Sequence, residues 1–423
     1  MLRRARWVGL LAATLWSAGI GVAQAQSLDG YLPPGVPGYG TAPGVTVLSR
    51  ARPEYDSLGV RLGDFIVHPS LDMRIGADSN VEGRQGGAGS WIAGVSPGIA
   101  IAGGPSGTTI GAYAGLDDRR YLDLPGDSYT NGTAALGVSH DFGQDRLTLS
   151  ATHLSLHALN TAIGAVSADR PIAFRAEDVR ARYRIAAGPL SIVPAVDFTA
   201  YRFAPARIGG MAVSQAFRDR NVWDGSLTLR YELAPQRATV LVLRSIRSDY
   251  LTGPPGFSHS GTGYEILAGF DVAANAVLRY RALAGYEMRR FDSRAFKTHV
   301  APIVEAQVIW NPSGLTTLTG TLSRSIEDAA EETIGGYTLT RGKIVLDHEY
   351  LPNVLLQARA EVQHAAYRQG GGRQTILGAG GGVDWLLNRR LRISADYDFA
   401  DQQASRGGDY ARSTVSLRLH LGL

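Results

Sequence analysis

From Phe65 onward the chain alternates between apolar and polar positions. Phe65, Val67, Pro69, Leu71, Met73, Ile75 and Ala77 stand between Ile66, His68, Ser70, Asp72, Arg74, Gly76 and Asp78. Successive side chains of a strand point to opposite faces, so this pattern predicts a strand with one greasy and one mostly polar face. It recurs with Val179, Ala181, Tyr183 and Ile185 against Asp178, Arg180, Arg182 and Arg184, and with Leu227, Leu229 and Tyr231 against Thr228, Arg230 and Glu232. It recurs again in 264–272, 354–362 and 391–399, and closes the chain with Val415, Leu417, Leu419, Leu421 and Leu423. Two stretches break the rule. Residues 239–248 are apolar on both faces, with Val240 and Val242 opposite Leu241 and Leu243, and residues 133–142 also mix.

The connections alternate too. Short ones fall at 103–107, 143–146, 187–189, 234–238, 273–276, 311–314, 351–353 and 387–390, and longer ones at 78–90, 117–131, 157–171, 204–221, 250–261, 326–336 and 399–409. Strands of roughly 9–13 residues, longer than those of most soluble sheets, with short turns on one side and long loops on the other, describe an outer-membrane barrel. The reading is an all-β, antiparallel, up-and-down transmembrane β-barrel over 62–423, with about eighteen strands. Its short turns face the periplasm. Trp91, Trp223, Trp310 and Trp385 fall near strand ends, which suits aromatic girdles at the two interfaces.

A barrel of about eighteen strands is too wide for side chains alone to fill, so its polar face lines water. The candidate pore-lining residues are Asp72, Arg74, Arg180, Arg182, Arg184, Arg230, Glu232, Glu265, Arg279, Arg281, Glu305, Arg359, Glu361, Arg392 and Asp396. Buried dry and unpaired, each charge would cost several kcal/mol. The runs 180–184 and 279–281 read either as a basic stripe that attracts acidic solutes or as partners of lumenal acids such as Glu265 and Glu305; the near-balanced charge favours pairing. The loops 157–171 and 204–221 are the expected constrictions. Leu227 and Ile393 are expected to face lipid, and Thr228 and Arg230 the lumen.

The first residues belong to another kind of segment. Arg3, Arg4 and Arg6 precede the apolar stretch 7–22, and Ala23-Gln24-Ala25 follows, the layout of a cleaved secretory signal peptide over 1–25. The formal charge of +4 then falls to +1, because three arginines leave and no acid does. Nothing in the remainder supports nucleic-acid binding. Residues 26–61, rich in Pro and Gly, are expected to form a weakly structured arm on the periplasmic side. With no cysteine, the chain can have neither disulfides nor thiol catalysis. Mean hydropathy of −0.06 and the lack of a second long apolar run argue against spanning helices.

Catalysis has little to build on. His153, Ser155 and His157 share one face of one strand with no acid between them, and His299 and Glu305 lie on another. No spacing of His, Asp and Glu suggests a metal site, and Gly378, Gly380, Gly381 and Gly382 sit within a strand pattern, not a phosphate loop. No cofactor is expected.

Residues 52–80 carry Arg52-Pro53, Tyr55-Asp56, Gly59, Arg61, Gly63 and Phe65, then a strand with Pro69 at its centre that ends near Asp78 and Asn80. This segment resembles the opening of the beta-barrel porin 2 family of outer-membrane proteins. Residues 91–99 resemble the family's second strand, and the likeness continues diffusely to the C-terminus. Leu423 departs from the terminal aromatic residue that barrel-assembly signals usually carry. The resemblance implies an integral barrel of alphaproteobacterial type that contacts outer-membrane lipid and the barrel-assembly machinery. Some relatives accompany exopolysaccharide systems, which implies a conduit working with a periplasmic polysaccharide export protein. Two other expectations stand beside it: a general diffusion porin for small hydrophilic solutes, and a non-conducting surface barrel that binds ligands through its long loops.

Overall fold

The computed structural model describes residues 28, 31–33, 35–39, 46–253, 257–275, 277–368, 372–405 and 408–423. The expected signal peptide lies outside these residues. Eighteen strands build the wall: β1 (Phe65–Asp78), β2 (Ser90–Gly103), β3 (Thr108–Tyr121), β4 (Tyr129–Phe142), β5 (Asp145–Ala158), β6 (Ile172–Ala187), β7 (Leu190–Phe203), β8 (Arg220–Ala234), β9 (Arg237–Tyr250), β10 (Gly261–Ala273), β11 (Leu278–Phe291), β12 (His299–Ser313), β13 (Thr316–Glu327), β14 (Tyr337–Leu351), β15 (Val354–Tyr367), β16 (Arg373–Leu386), β17 (Leu391–Ala404) and β18 (Tyr410–Gly422). Each pairs antiparallel with its sequence neighbour, and β1 pairs with β18 from Ser70↔Gly422 to Asp78↔Thr414, which closes the barrel.

The seam explains the proline in the middle of β1. A short strand, Val60–Leu62, folds back on Phe65–Val67, and β18 takes over at Ser70. Pro69, which lacks an N–H, sits in the gap between them, and its carbonyl accepts the Leu423 amide at 3.2 Å. Elsewhere in the wall, Gly188-Pro189 joins β6 to β7. Gly188 adopts φ +59 and the proline ring fixes the next φ, a combination suited to the sharp reversal of a two-residue hairpin.

The strands run from 12 to 16 residues, longer than the pattern suggested. The outer face shows why. Over much of the wall it is apolar and exposed, with Ile75, Val95, Leu136, Leu149, Val179, Val196, Ile266, Ile344, Leu377 and Leu417. So much exposed apolar surface belongs in a bilayer. Towards the long-loop end the same face turns polar. Asp118 pairs with Arg120 on β3, His153 of β5 lies 2.6 Å from Glu177 of β6, and Arg247 of β9 contacts Asp249 and Asp292. The hydrogen-bonded ladder thus continues past the hydrocarbon band into water. Trp91 and Trp223 lie near the long-loop end, Trp310 and Trp385 near the short-turn end, and all four are exposed. The stretches 117–121 and 129–131, expected as loop, are strand, and 204–219 carries a small hairpin, Ala206–Ile208 with Met211–Val213.

Candidate functional site

Every candidate pore-lining residue falls on the inward phase of its strand, the phase that carries Leu154, Ala176, Leu267, Leu283 and Ala365. Leu227 faces outward, paired with Leu243, and Ile393 faces outward beside Trp385 and Leu419, while Thr228 and Arg230 face inward.

Inside, charges are grouped by cross-strand register. On β1 and β15–β18, Arg359 lies 2.5 Å from Asp398 and 3.8 Å from Asp396, Arg418 lies 3.8 Å from Asp396, and His420 Nδ1 lies 3.1 Å from Asp72. Glycines of β16 make room for this group. A Cβ on Gly380 would overlap the Asp398 carboxylate and lie 2.8 Å from Arg359 Nε, and one on Gly382 would lie 2.5 Å from Asp396 Oδ1. On β9–β12, Arg244 donates to Glu265 at 2.7 Å and to Glu305 at 2.9 Å. Nearer the short turns, Asp271 lies 3.7 Å from Arg230 and 3.9 Å from Arg279, and Glu232 lies 4.0 Å from Arg230. Arg180 donates to Asp178 at 2.9 Å, and Arg184 donates to the Gln144 carbonyl. Glu361 accepts from Gln363. Among the described residues Arg74, Arg182, Arg281 and Arg392 have no carboxylate within ion-pair distance. The arginine runs are therefore partly paired, and Glu265 and Glu305 serve Arg244 instead.

Arg244 was missed because β9 looks apolar on both faces. Val240 and Val242 do point inward, into a patch with Leu267, Leu283 and Ile303. Arg244 shares their phase, two residues on. Also missed was the loop-end group. Arg218 lies over the Phe203 ring at 4.0 Å, Arg220 lies between Tyr201 at 4.2 Å and Tyr250 at 5.6 Å, and Arg289 pairs with Asp328 at 2.7 Å. The acid absent from the sequence around His153 comes from Glu177 on the next strand, but the pair sits on the outer face, and no hydrogen bond between Ser155 and His153 occurs among the described residues.

The lumen is partly occupied. Loop 159–171 leaves β5 and reaches the opposite wall. Ile163 packs with Ala329 and Ile334 of loop 328–336 and with Tyr337, Leu339, Ala365, Ile376 and Ala400 of β14–β17. Its backbone is tied there as well: the Gly164 amide donates to Gln374 at 2.8 Å and Tyr410 Oη donates to the Thr161 carbonyl at 2.9 Å. Loop 204–219 leans on it, with the Gly209 and Gly210 amides donating to Asp169 at 3.0 and 2.7 Å. These two contacts hold the Asp169 carboxyl below the usual aspartate range.

The arm differs from expectation. Leu28, Leu32, Val36 and Tyr39 are buried against inward residues of β4–β7, namely Ala135, Leu154, Leu156, Phe174, Ala176, Tyr201 and Phe203. The physical reason is their spacing: apolar side chains recurring through the Pro/Gly segment meet an apolar strip of wall. The part of the arm nearer β1 lies at the short-turn mouth, where Arg389 donates to the Pro53 carbonyl at 2.8 Å.

Three solved structures are similar to this chain. OccK2 (OpdF) of Pseudomonas aeruginosa in complex with glucuronate aligns at 13% identity and a TM-score of 0.46, covering 84% of this chain and 98% of that one. OccAB4 of Acinetobacter baumannii aligns at 11% and 0.47, covering 84% and 98%. The copper transporter OprC aligns at 11% and 0.47, covering 86% and 81%. No curated protein matches the chain. The model of the family described as "Putative beta-barrel porin 2" matches residues 52–422. With a closed eighteen-strand wall, an apolar exterior and a charged interior, the chain belongs to this porin family and is an outer-membrane, channel-type barrel.

Proposed function

We propose that the barrel is a channel for hydrophilic material and that its cargo is exported polysaccharide, handed over by a periplasmic export protein. The observation that carries the channel reading is the inner wall, where charges of both signs sit in cross-strand groups such as Arg359 with Asp396 and Asp398. Such a lining holds water and repels neither sign strongly. The polysaccharide part rests on the family resemblance. A neutral or weakly charged polymer suits a lining without a dominant sign.

The purified barrel in a planar bilayer is expected to give stable steps with weak ion selectivity once its lumen is cleared. A deletion strain is expected to lose secreted polymer while keeping polymer in the cell. Normal secretion in that strain, with conductance present, would leave a general diffusion porin. A second reading has one observation in its favour: loop 159–171 and the arm both occupy the lumen. No conductance before or after both are removed would favour a ligand-binding barrel that does not conduct.

A further inference from the structure

The inner wall carries a slot shaped for one occupant. Gly111 of β3 and Gly137 of β4 are direct cross-strand partners, and both face inward. A Cβ on Gly111 would lie 2.6 Å from Cδ of Pro37, and one on Gly137 would overlap the Pro37 carbonyl oxygen. Only an unsubstituted pair lets the arm lie this close. The fit continues from the arm's side. Gly38 adopts φ +91, and a Cβ there would overlap Ser150 Oγ of β5. Beside the slot, Val36 and Tyr39 join the apolar strip, and the Arg180 guanidinium lies 5.0 Å from the Tyr39 ring centre.

The arm is fastened a second time on the opposite wall. The Val47 amide donates to Thr317 Oγ1 of β13 at 2.9 Å, and the Val47 side chain packs with Leu355 of β15 and Leu386 of β16. Arg52 lies 2.8 Å from Glu349 of β14, which Arg50 also pairs with, and Arg50 donates to the Gly314 carbonyl at 2.5 Å. Tyr39 and Val47 are close in sequence yet seated on facing sides of the lumen.

We propose that the arm, through Leu32, Val36, Pro37 and Tyr39, is a resident plug, and that the channel opens when these residues leave the Gly111/Gly137 slot. The proposal rests on the channel reading. Its chemistry favours reversal. The seat near Pro37 offers shape but few hydrogen bonds, whereas the Arg50/Arg52–Glu349 clasp lies at the mouth, where it can hold the chain while the inner part withdraws.

The native chain has no cysteine, so Val36→Cys is a clean reporter. In the intact barrel a membrane-impermeant maleimide is expected to label it slowly. Gly137→Leu fills the slot from the wall and is expected to speed labelling about tenfold, the signature of a segment moved from a protected to an open state. The same substitution, and separately removal of residues 27–45, is expected to raise bilayer conductance at least about twofold, as for a constriction removed. Heat-modifiable migration verifies that each variant is folded. Should Gly137→Leu fail that check, Val36→Asp, which places a charge in the apolar strip and leaves the wall unchanged, replaces it in the conductance arm, and Leu32→Cys, at a residue buried in the same strip, replaces Val36→Cys for labelling. Rapid labelling of the intact barrel would overturn the seat. Slow labelling with equal conductance in intact and altered proteins would overturn the plug while leaving a channel. No conductance in any protein, one lacking both residues 27–45 and the loop tip 161–166 included, with labelling still changed tenfold, would reject the channel reading and the plug with it, and keep only the seat.

Discussion

Arg359 can stay inside the barrel because two carboxylates share it and Gly380 leaves the space. A guanidinium with partners and water nearby avoids the cost of a dry, unpaired charge. The apolar band of the outer face offers neither. Leu227→Arg is therefore expected to lower barrel stability by about 2–4 kcal/mol if the side chain lies near mid-membrane, while Thr228→Arg, on the inward phase, is expected to cost far less. Refolding yields in bilayers of increasing urea measure the difference, and equal yields would contradict the phase assignment. At this scale the sequence was highly legible: period two sets the face of a side chain, so Asp72, Arg180, Glu265 and Asp396 could all be placed before any partner was known. The partners could not. That Arg244, and not Arg281, serves Glu305 depends on how far each strand is staggered against the next, and nothing in one strand's pattern encodes that stagger.

Among the elements, the two stretches with broken alternation turn out to mark special parts of the inner wall. β4 is apolar inside at Ala135 because the arm lies over it, and β9 is apolar inside at Val240 and Val242 because an apolar patch continues across β10–β12. An inward apolar residue in a wide barrel points to a cover or a patch, and this meaning emerges only when the neighbouring strands are in place. The long loops were legible by length, and 159–171 does reach across the opening. Removing its tip, 161–166, is expected to raise single-channel conductance and to leave the fold intact, because the residues it contacts on β14–β17 belong to complete hairpins. Its brace is acid-sensitive. Asp169 holds two amides only as a carboxylate, and its folded pKa is depressed. The stabilisation is thus present above the unfolded value of about 3.9 and is lost as pH falls through the lower folded value. Hydrogen exchange at Gly209 and Gly210, followed as pH is lowered from 6 and corrected for intrinsic rates, is expected to show protection lost only below the unfolded aspartate value in the native protein and reduced throughout in Asp169→Ala.

For the whole molecule, topology and class followed from two alternations, of side chains and of connection lengths, because an up-and-down barrel repeats one local unit. The position of the arm did not follow. Residues 26–61 look like a linker by composition, and the match between Pro37 and two glycines 74 and 100 residues further along is invisible until the sheet is closed. The net lining can be tested as a unit. Replacing Arg180, Arg182 and Arg184 with Gln removes three inward cations from one strand, and the reversal potential in a salt gradient is expected to move towards cation preference. An unchanged reversal potential would mean that the permeation path avoids β6.

The seam has a consequence in time. Every wall pairing but one joins strands linked by a single turn or loop, whereas the pairing of β1 must wait for β18, the last wall strand. Contacts between distant parts of a chain form late, since the intervening loop entropy opposes them until the local pairs exist. Assembly should then run in two stages, a growing open sheet of hairpins followed by one closing event. Gly76 is the place to separate them, because a Cβ there would meet the Val415 carbonyl across the seam, and its nearest neighbours all lie on β18. During refolding into lipid, Gly76→Val is expected to leave the first rise of β-structure in circular dichroism unchanged and to delay the heat-resistant band, so that the ring exists for longer as an unclosed ribbon.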